Sequence, residues 1–337
     1  MTSTPSRFRS RRMTMPLVAL LAVLLVAAGM ASPAQARSAR SKPGKTTTAP
    51  PAPTVPRSWG IAAPGLPQDA SALNAVTQVL GQSPDRVMWY DAWSNGTTFP
   101  AAAAQTFAAS GSTVEVTWEP WDPAAGLNQP AYADARIADG AFDAYLKGYA
   151  ASVKAYGRPV VLRFGHEMNG QWYPWSVGVN GNTAAGYVAA FRHVHDVFVA
   201  QGVTNVTWAW TPNVPSSGSS TLAAAYPGDA YVDQVGLDGY NWGTTGTGTT
   251  WQSFATIFGA GLTQLRALTA KPIWLGEVAS TEKGGDKATW IRDMFSTLAA
   301  HPEIAGFTWF DFNKETDWRI DSSTGSASAF RTGLATY

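Results

Sequence analysis

Two acidic residues stand where apolar runs stop. One run reads Arg163-Phe164-Gly165-His166-Glu167-Met168-Asn169-Gly170-Gln171-Trp172-Tyr173-Pro174-Trp175, and a second, Pro272-Ile273-Trp274-Leu275-Gly276-Glu277, is apolar until it ends at a carboxylate. Residues two apart in a strand face the same way, so Arg163, Gly165 and Glu167 are expected to share one face if the strand persists that far. An inward charge there needs a partner or a task. Two carboxyl groups about 5–5.5 Å apart can hydrolyse a glycosidic bond with retention, one protonating the leaving oxygen and the other attacking the anomeric carbon. The bland alternative is that both glutamates only pair with Arg163.

The elements needed to hold such a pair are countable. Residues 59–63, 86–90, 113–118, 159–164, 205–210, 234–240, 272–276 and 306–310 are β-rich runs. Helical stretches are expected at 68–81, 100–110, 138–156, 183–201, 251–270, 286–300 and 325–336, with a poorer one after the fifth strand. Eight strand–helix units in about 280 residues give an α/β chain folded as a (β/α)₈ TIM barrel, a single catalytic domain over 58–337. A doubly wound open sheet is the runner-up, but Ile61-Ala62-Ala63-Pro64-Gly65 is no Gly-rich phosphate turn. Barrel sites form at the carboxyl ends of strands, and the fourth and seventh face each other across the opening.

Those strand ends interleave aromatics with carboxylates: Trp89, Tyr90 and Asp91; Trp118, Glu119 and Trp121; Trp172, Tyr173 and Trp175; Asp238, Tyr240 and Trp242; Trp309 and Asp311. Sugar rings stack on aromatics while their hydroxyls bond to carboxylates and amides, so the mixture suits a polysaccharide substrate. Trp172, Trp175 and Trp309 are assigned to the site, and the mid-strand Trp208 and Trp274 to core. Residues 243–250 are all Gly and Thr and read equally well as a lid or a passive loop.

Composition narrows the function further. Residues 1–57 hold nine basic and no acidic residues, which leaves 15 basic against 23 acidic in the rest, or −8 (15 − 23). No nucleic-acid partner is expected of such a body. The chain has no cysteine, which removes disulfides, thiolate metal sites and Cys nucleophiles. His193 and His195 are two apart on a helix and point to different faces, and Asp229, Asp233 and Asp238 lack the spacing of a calcium loop. No cofactor and no metal are therefore expected. Arg7, Arg9, Arg11 and Arg12 precede an apolar run over 17–30 and then Ala34-Gln35-Ala36, the pattern of a secretory signal peptide spanning 1–36. Ser10-Arg11-Arg12 hints weakly at the twin-arginine route. Residues 37–57 read as a Pro/Thr/Ser-rich disordered linker. A secreted, extracellular monomer with no stable membrane anchor after cleavage is expected.

The strand-four run, with Arg163 four before the glutamate and Gly276-Glu277 ending a later strand, resembles glycoside hydrolase family 26, and the resemblance covers essentially all of 58–337. It implies a retaining (β/α)₈ glycosidase in which Glu167 is the acid/base and Glu277 the nucleophile. Arg163 and Tyr240 would hydrogen-bond the nucleophile and hold it ionised, Trp309 would floor the sugar being cleaved, and Trp172 would be a stacking platform on the leaving-group side. His166 matches the histidine the family carries where most of its clan has asparagine. The family's mannanases usually continue this motif as Trp-Phe-Trp-Trp-Gly, whereas here it reads Trp172-Tyr173-Pro174-Trp175-Ser176. Trp118-Glu119-Pro120-Trp121 is associated more with glucan-acting members, and Trp118, Glu119 and Trp175 join the expected substrate contacts. The expected activity is that of an endo-β-1,4-mannanase, with a mixed-linkage β-1,3-1,4-glucanase as alternative and a non-catalytic carbohydrate-binding barrel as the alternative of another class. Glu119 is the candidate contact to the sugar C2 hydroxyl that separates mannose from glucose.

Overall fold

A computed structural model describes residues 57–337. The signal-peptide reading of 1–36, and the linker reading of 37–57 apart from Arg57, lie outside the described residues. Nine parallel strands follow one another: β1 (Ser58–Ala62), β2 (Arg86–Ala92), β3 (Thr113–Glu119), β4 (Val160–Phe164), β5 (Val206–Trp210), β6 (Gln234–Val235), β7 (Asp238–Asn241), β8 (Ile273–Ser280) and β9 (Ile304–Phe310). Their order is β6-β5-β4-β3-β2-β1-β9-β8-β7, and β6 also pairs with β8, which closes the sheet into a barrel. β6 and β7 are two halves of one stave, so the barrel has eight and the (β/α)₈ expectation holds.

The break in that stave has a local cause. Gly236 approaches the Trp274 carbonyl so closely that a Cβ would lie 2.1 Å from its oxygen. Its N–H goes to the Trp210 carbonyl, and the next pairing, Asp238 with Glu277, restarts on the far side. Only glycine can make that approach.

Each stave feeds a helix whose apolar face covers the sheet. In α5 (Ala184–Ala200), Tyr187, Ala190, Phe191, Val194, Val197 and Phe198 recur at helical spacing and are buried. Thr183 caps its first turn by accepting from the Gly186 N–H. Ser253 and Asp286 do the same for α7 (Phe254–Leu268) and α8 (Lys287–Ala300), and Ser323 forms a capping box at α9 (Thr324–Leu334). The single helix expected over 138–156 is broken into Asp134–Ala138 and Asp143–Tyr156 around Gly140, which is left-handed with φ +82°.

Inside the barrel the core is partly ionic. Arg86 pairs with Glu115 at 3.2 Å, donates to Gln234 and lies 3.5 Å over the Trp274 ring, contacts that span opposite staves. Above it Arg163 is fully buried and takes over the charge pattern towards the open end.

Candidate active site

Glu167 does not reach the barrel mouth by strand alternation. β4 ends at Phe164, and Gly165 and Glu167 are both left-handed, with φ +52° each. A glutamate in that region is strained, and such strain is kept where surrounding contacts over-determine it. The Glu167 N–H donates to the Thr211 carbonyl at 2.8 Å. Its carboxyl is then held from two sides, Oε1 accepting from Asn213 Nδ2 at 2.7 Å and Oε2 from Trp172 Nε1 at 2.5 Å. Trp172 folds back over Gly170 to do this, since a Cβ on Gly170 would meet the indole at 2.6 Å. The spacing Glu167-Gly170-Trp172 is thereby explained: the glycine makes room for the ring that touches the acid.

Glu277 lies on β8 and collects donors from three other staves. Arg163 Nη2 reaches Oε1 at 2.5 Å, the Tyr90 hydroxyl reaches the same oxygen at 2.8 Å, and the Tyr240 hydroxyl donates to Oε2. Arg163 also donates to Asp238 at 2.7 Å and to Thr117 at 2.9 Å, so its planar fork is fixed from below. Gly276 must be small because a Cβ there would come within 2.5 Å of Asp238 and 2.6 Å of Thr211.

The electrostatics separate the two carboxyls. Burial, followed by the nearby Glu277 charge, pushes Glu167 up to about 7, against the opposing hydrogen bonds from Asn213 and Trp172. Burial and the Glu277 charge also raise Tyr90 and Tyr240 well above the usual phenol range, so both stay donors. Burial, then Arg163, drives His166 well below its usual value, leaving a neutral ring whose Nε2 lies 3.2 Å from the Tyr173 hydroxyl. Glu119, pushed up to about 8 by burial, lies beside Trp121, whose Nε1 donates to it at 3.2 Å.

Glu167 and Glu277 line one cleft of about 600 Å³. Tyr90, Glu119, Trp121 and Tyr173 line it too, together with Trp172, which is 49% exposed, and Phe310, Phe312 and Trp318. Four expected contacts fall elsewhere. Trp309 points out of the barrel, with its Nε1 on the Trp318 carbonyl and its ring against Trp290 and Phe330, and the aromatic surface expected of it is supplied by Trp318 and Phe310. Trp118 also faces outward, stacked 4.4 Å from Tyr149, because Thr117 and Glu119 take the inward positions. Trp175 is buried behind the cleft, stacked 4.3 Å from Tyr173 with its Nε1 on the His166 carbonyl. His166 is buried and touches the site through Tyr173 and, at 3.9 Å, Glu277, without lining the cleft. Arg163 and Tyr240 stand where expected, whereas Tyr90, Asn213, Asp238 and Trp318 were not singled out from sequence as site residues.

Among the described residues, His166, Asp238 and Glu277 form the one group whose ligand atoms lie within 4.8 Å of one another. The Arg163 guanidinium already bridges Asp238 and Glu277, so the position of a cation between these carboxylates is filled by a side chain.

The fold and the cleft define a (β/α)₈ barrel with two carboxyls at the ends of the fourth and seventh staves. The model of glycosyl hydrolase family 26 matches residues 106–274, a segment that contains Glu167 and stops just before Glu277. Endoglucanase H of Acetivibrio thermocellus is 38% identical over 275 residues, covering 80% of this chain and 29% of that protein. A mannan endo-1,4-beta-mannosidase of Bifidobacterium adolescentis is 33% identical over 110 residues, 30% of this chain and 11% of that one. The chain thus matches less than a third of the length of these relatives. Among solved structures, the modular endo-beta-1,4-mannanase of Cellulomonas fimi has a TM-score of 0.64 at 20% identity, over 83% of this chain and 70% of its own. Bacillus subtilis mannanase BCman has a TM-score of 0.62 at 18% identity, over 83% and 86%. At those identities the likeness speaks for the fold. The chain belongs to glycosyl hydrolase family 26.

Proposed function

We propose that this protein is a retaining endo-β-glycanase in which Glu277 attacks the anomeric carbon and Glu167 is the acid and then the base. The carrying observation is the asymmetry of the pair: Glu277 accepts from a guanidinium and two phenols, while Glu167 is buried with a carboxyl raised to about 7. In the first step the Glu277 carboxylate forms a bond to C1, the C1–O bond to the leaving sugar breaks, and that oxygen takes the Glu167 proton. In the second, Glu167 removes a proton from water, whose oxygen bonds to C1 as the bond to Glu277 breaks. Arg163, Tyr90 and Tyr240 fix the nucleophile so that little reorganisation is needed at the moment of attack.

The backbone we propose first is a β-glucan containing β-1,4 links. Its support is the relative aligned over 80% of the chain, which is named an endoglucanase. β-1,4-mannan is the second reading, supported by several relatives named mannan endo-1,4-beta-mannosidase that align over 25–30% of the chain. A large polysaccharide must be met outside the cell, which agrees with the proposed signal peptide, and the enzyme is proposed to act there as a monomer. Incubating purified protein with mixed-linkage β-glucan, β-mannan, β-1,3-xylan and cellulose, and measuring reducing-sugar release, tests the proposal. Release from glucan or mannan, abolished by Glu277→Ala, is expected. Binding without release on every polymer would make the protein a carbohydrate-binding barrel instead.

A further inference from the structure

Tyr240 separates two cavities. On one side is the cleft already described; on the other lies a second cavity of about 390 Å³, walled by residues 213–216, by Trp242 and by residues 248–250 with Gln252. It begins at the acid, because Asn213, which lines it, donates to Glu167 Oε1. Asn213, Ser216, Thr249, Thr250, Gln252 and Thr256 give it hydroxyls and amides, and half-buried Trp242 gives it an aromatic ring packed 5.0 Å from Trp318. Hydroxyl and amide groups beside one indole are the chemistry that holds a pyranose.

The Gly/Thr run over 243–250 forms part of this wall and is not free to swing. Gly243 is left-handed, its N–H donates to Asn241 Oδ1 at 3.3 Å, and a Cβ there would lie 1.8 Å from the Lys283 carbonyl oxygen. The Thr244 N–H donates to that carbonyl at 3.1 Å, the Thr245 hydroxyl donates to Thr281 at 3.3 Å, and the Gly246 N–H closes on Thr249 at 3.0 Å. Beyond the run, the Gln252 N–H donates to Asn241 Oδ1 and its carbonyl accepts from Trp290. The backbone is pinned while the Gln252 side chain is left exposed at the cavity edge.

We infer that this second cavity is a subsite for the sugar on the leaving side of the scissile bond, with the 243–250 run as its fixed wall. The inference rests on the glycanase reading above and adds where the departing chain is held. A site that holds the leaving sugar also holds an acceptor in the reverse sense: an acceptor hydroxyl gives its proton to Glu167, its oxygen bonds to C1, and the C1–Glu277 bond breaks. Transfer to an added oligosaccharide should therefore depend on the same residues as cleavage of a long chain.

The test uses Gln252→Ala and Thr250→Val in one protein, since neither residue touches Glu167 or Glu277. Two substrates are compared: an aryl β-glycoside with no sugar on the leaving side, and an oligosaccharide of the preferred backbone long enough to fill both sides. Losing two polar contacts should lower kcat/KM on the oligosaccharide, and transfer to an added acceptor, about tenfold, with the aryl glycoside unchanged. No change on the oligosaccharide, or an equal fall on both substrates, overturns the subsite. A wild-type protein inert towards both removes the glycanase reading and this inference with it, an outcome distinct from a selective loss that fails to appear.

Discussion

The Tyr90 hydroxyl donates to Glu277 Oε1 at 2.8 Å, sharing that oxygen with Arg163 at 2.5 Å. The donor comes from β2 and the acceptor from β8, so the bond ties opposite regions of the barrel to the attacking group. A hydrogen bond to a charged group is worth about 1.5–3 kcal/mol. Tyr90→Phe should therefore lower kcat/KM on aryl glycosides roughly 10- to 100-fold. Steady-state kinetics, with circular dichroism to show an unchanged fold, check this; an unchanged rate would remove Tyr90 from the site.

The pH profile should report Glu167. As the acid it must carry its proton, so kcat/KM should fall above about 7, the value to which burial and Glu277 push its carboxyl. Trp172→Phe keeps an aromatic ring but deletes a donor that favours the charged carboxylate, so the alkaline limb should move to higher pH. Stability has its own sign. A carboxyl whose folded value is raised contributes fully below its ordinary 4.5 and loses that contribution as pH rises through about 7, because the folded chain holds a proton that the unfolded chain has released. The melting temperature should fall across that interval, and Glu167→Gln should flatten the fall in calorimetry.

Glu119 should govern the choice of sugar. Its carboxyl, pushed up to about 8 by burial, is protonated at neutral pH and lies on the cleft wall, able to donate to a sugar hydroxyl. Removing a buried group that bonds a substrate hydroxyl can change discrimination by powers of ten. Glu119→Ala should shift the ratio of glucan to mannan hydrolysis by on the order of tenfold or more, with Glu119→Gln nearer the wild type. Parallel kinetics on the two polymers measure the ratio, and an unmoved ratio would assign discrimination elsewhere.

Much of this arrangement was legible in sequence because it follows from period and length. Short β-rich runs alternating with helical ones gave the barrel, and the abrupt ends at Glu167 and Glu277 gave the pair. The same period-two rule, applied further, would have placed Trp309 and Trp118 outside: Thr308 and Phe310, and Thr117 and Glu119, take the inward positions. It would also have pointed to Tyr90, which shares a face with the inward Arg86. Glu167 itself escapes that rule, since two left-handed residues re-aim it after the strand has ended. Asn213 carries no local signal, because it meets Glu167 only through the folding of the loop beyond β5. The split of the sixth stave at Gly236 likewise depends on the Trp274 carbonyl, a contact distant in sequence.

Metal removal should have little effect. Arg163 already supplies the positive charge between Asp238 and Glu277, and the proposed chemistry is complete with two carboxyls. Exhaustive chelation should leave the rate on soluble polysaccharide nearly unchanged. A loss restored only by a divalent cation would mean that His166, Asp238 and Glu277 hold an ion after all.

The central claim is that Glu277 attacks the sugar itself. Proton NMR of the reducing end formed in the first minutes of hydrolysis, before mutarotation, is the most direct measurement. The double displacement predicts that the β-anomer appears first and the α-anomer only later; an α-anomer as first product would require a water in place of Glu277 and contradict the assignment.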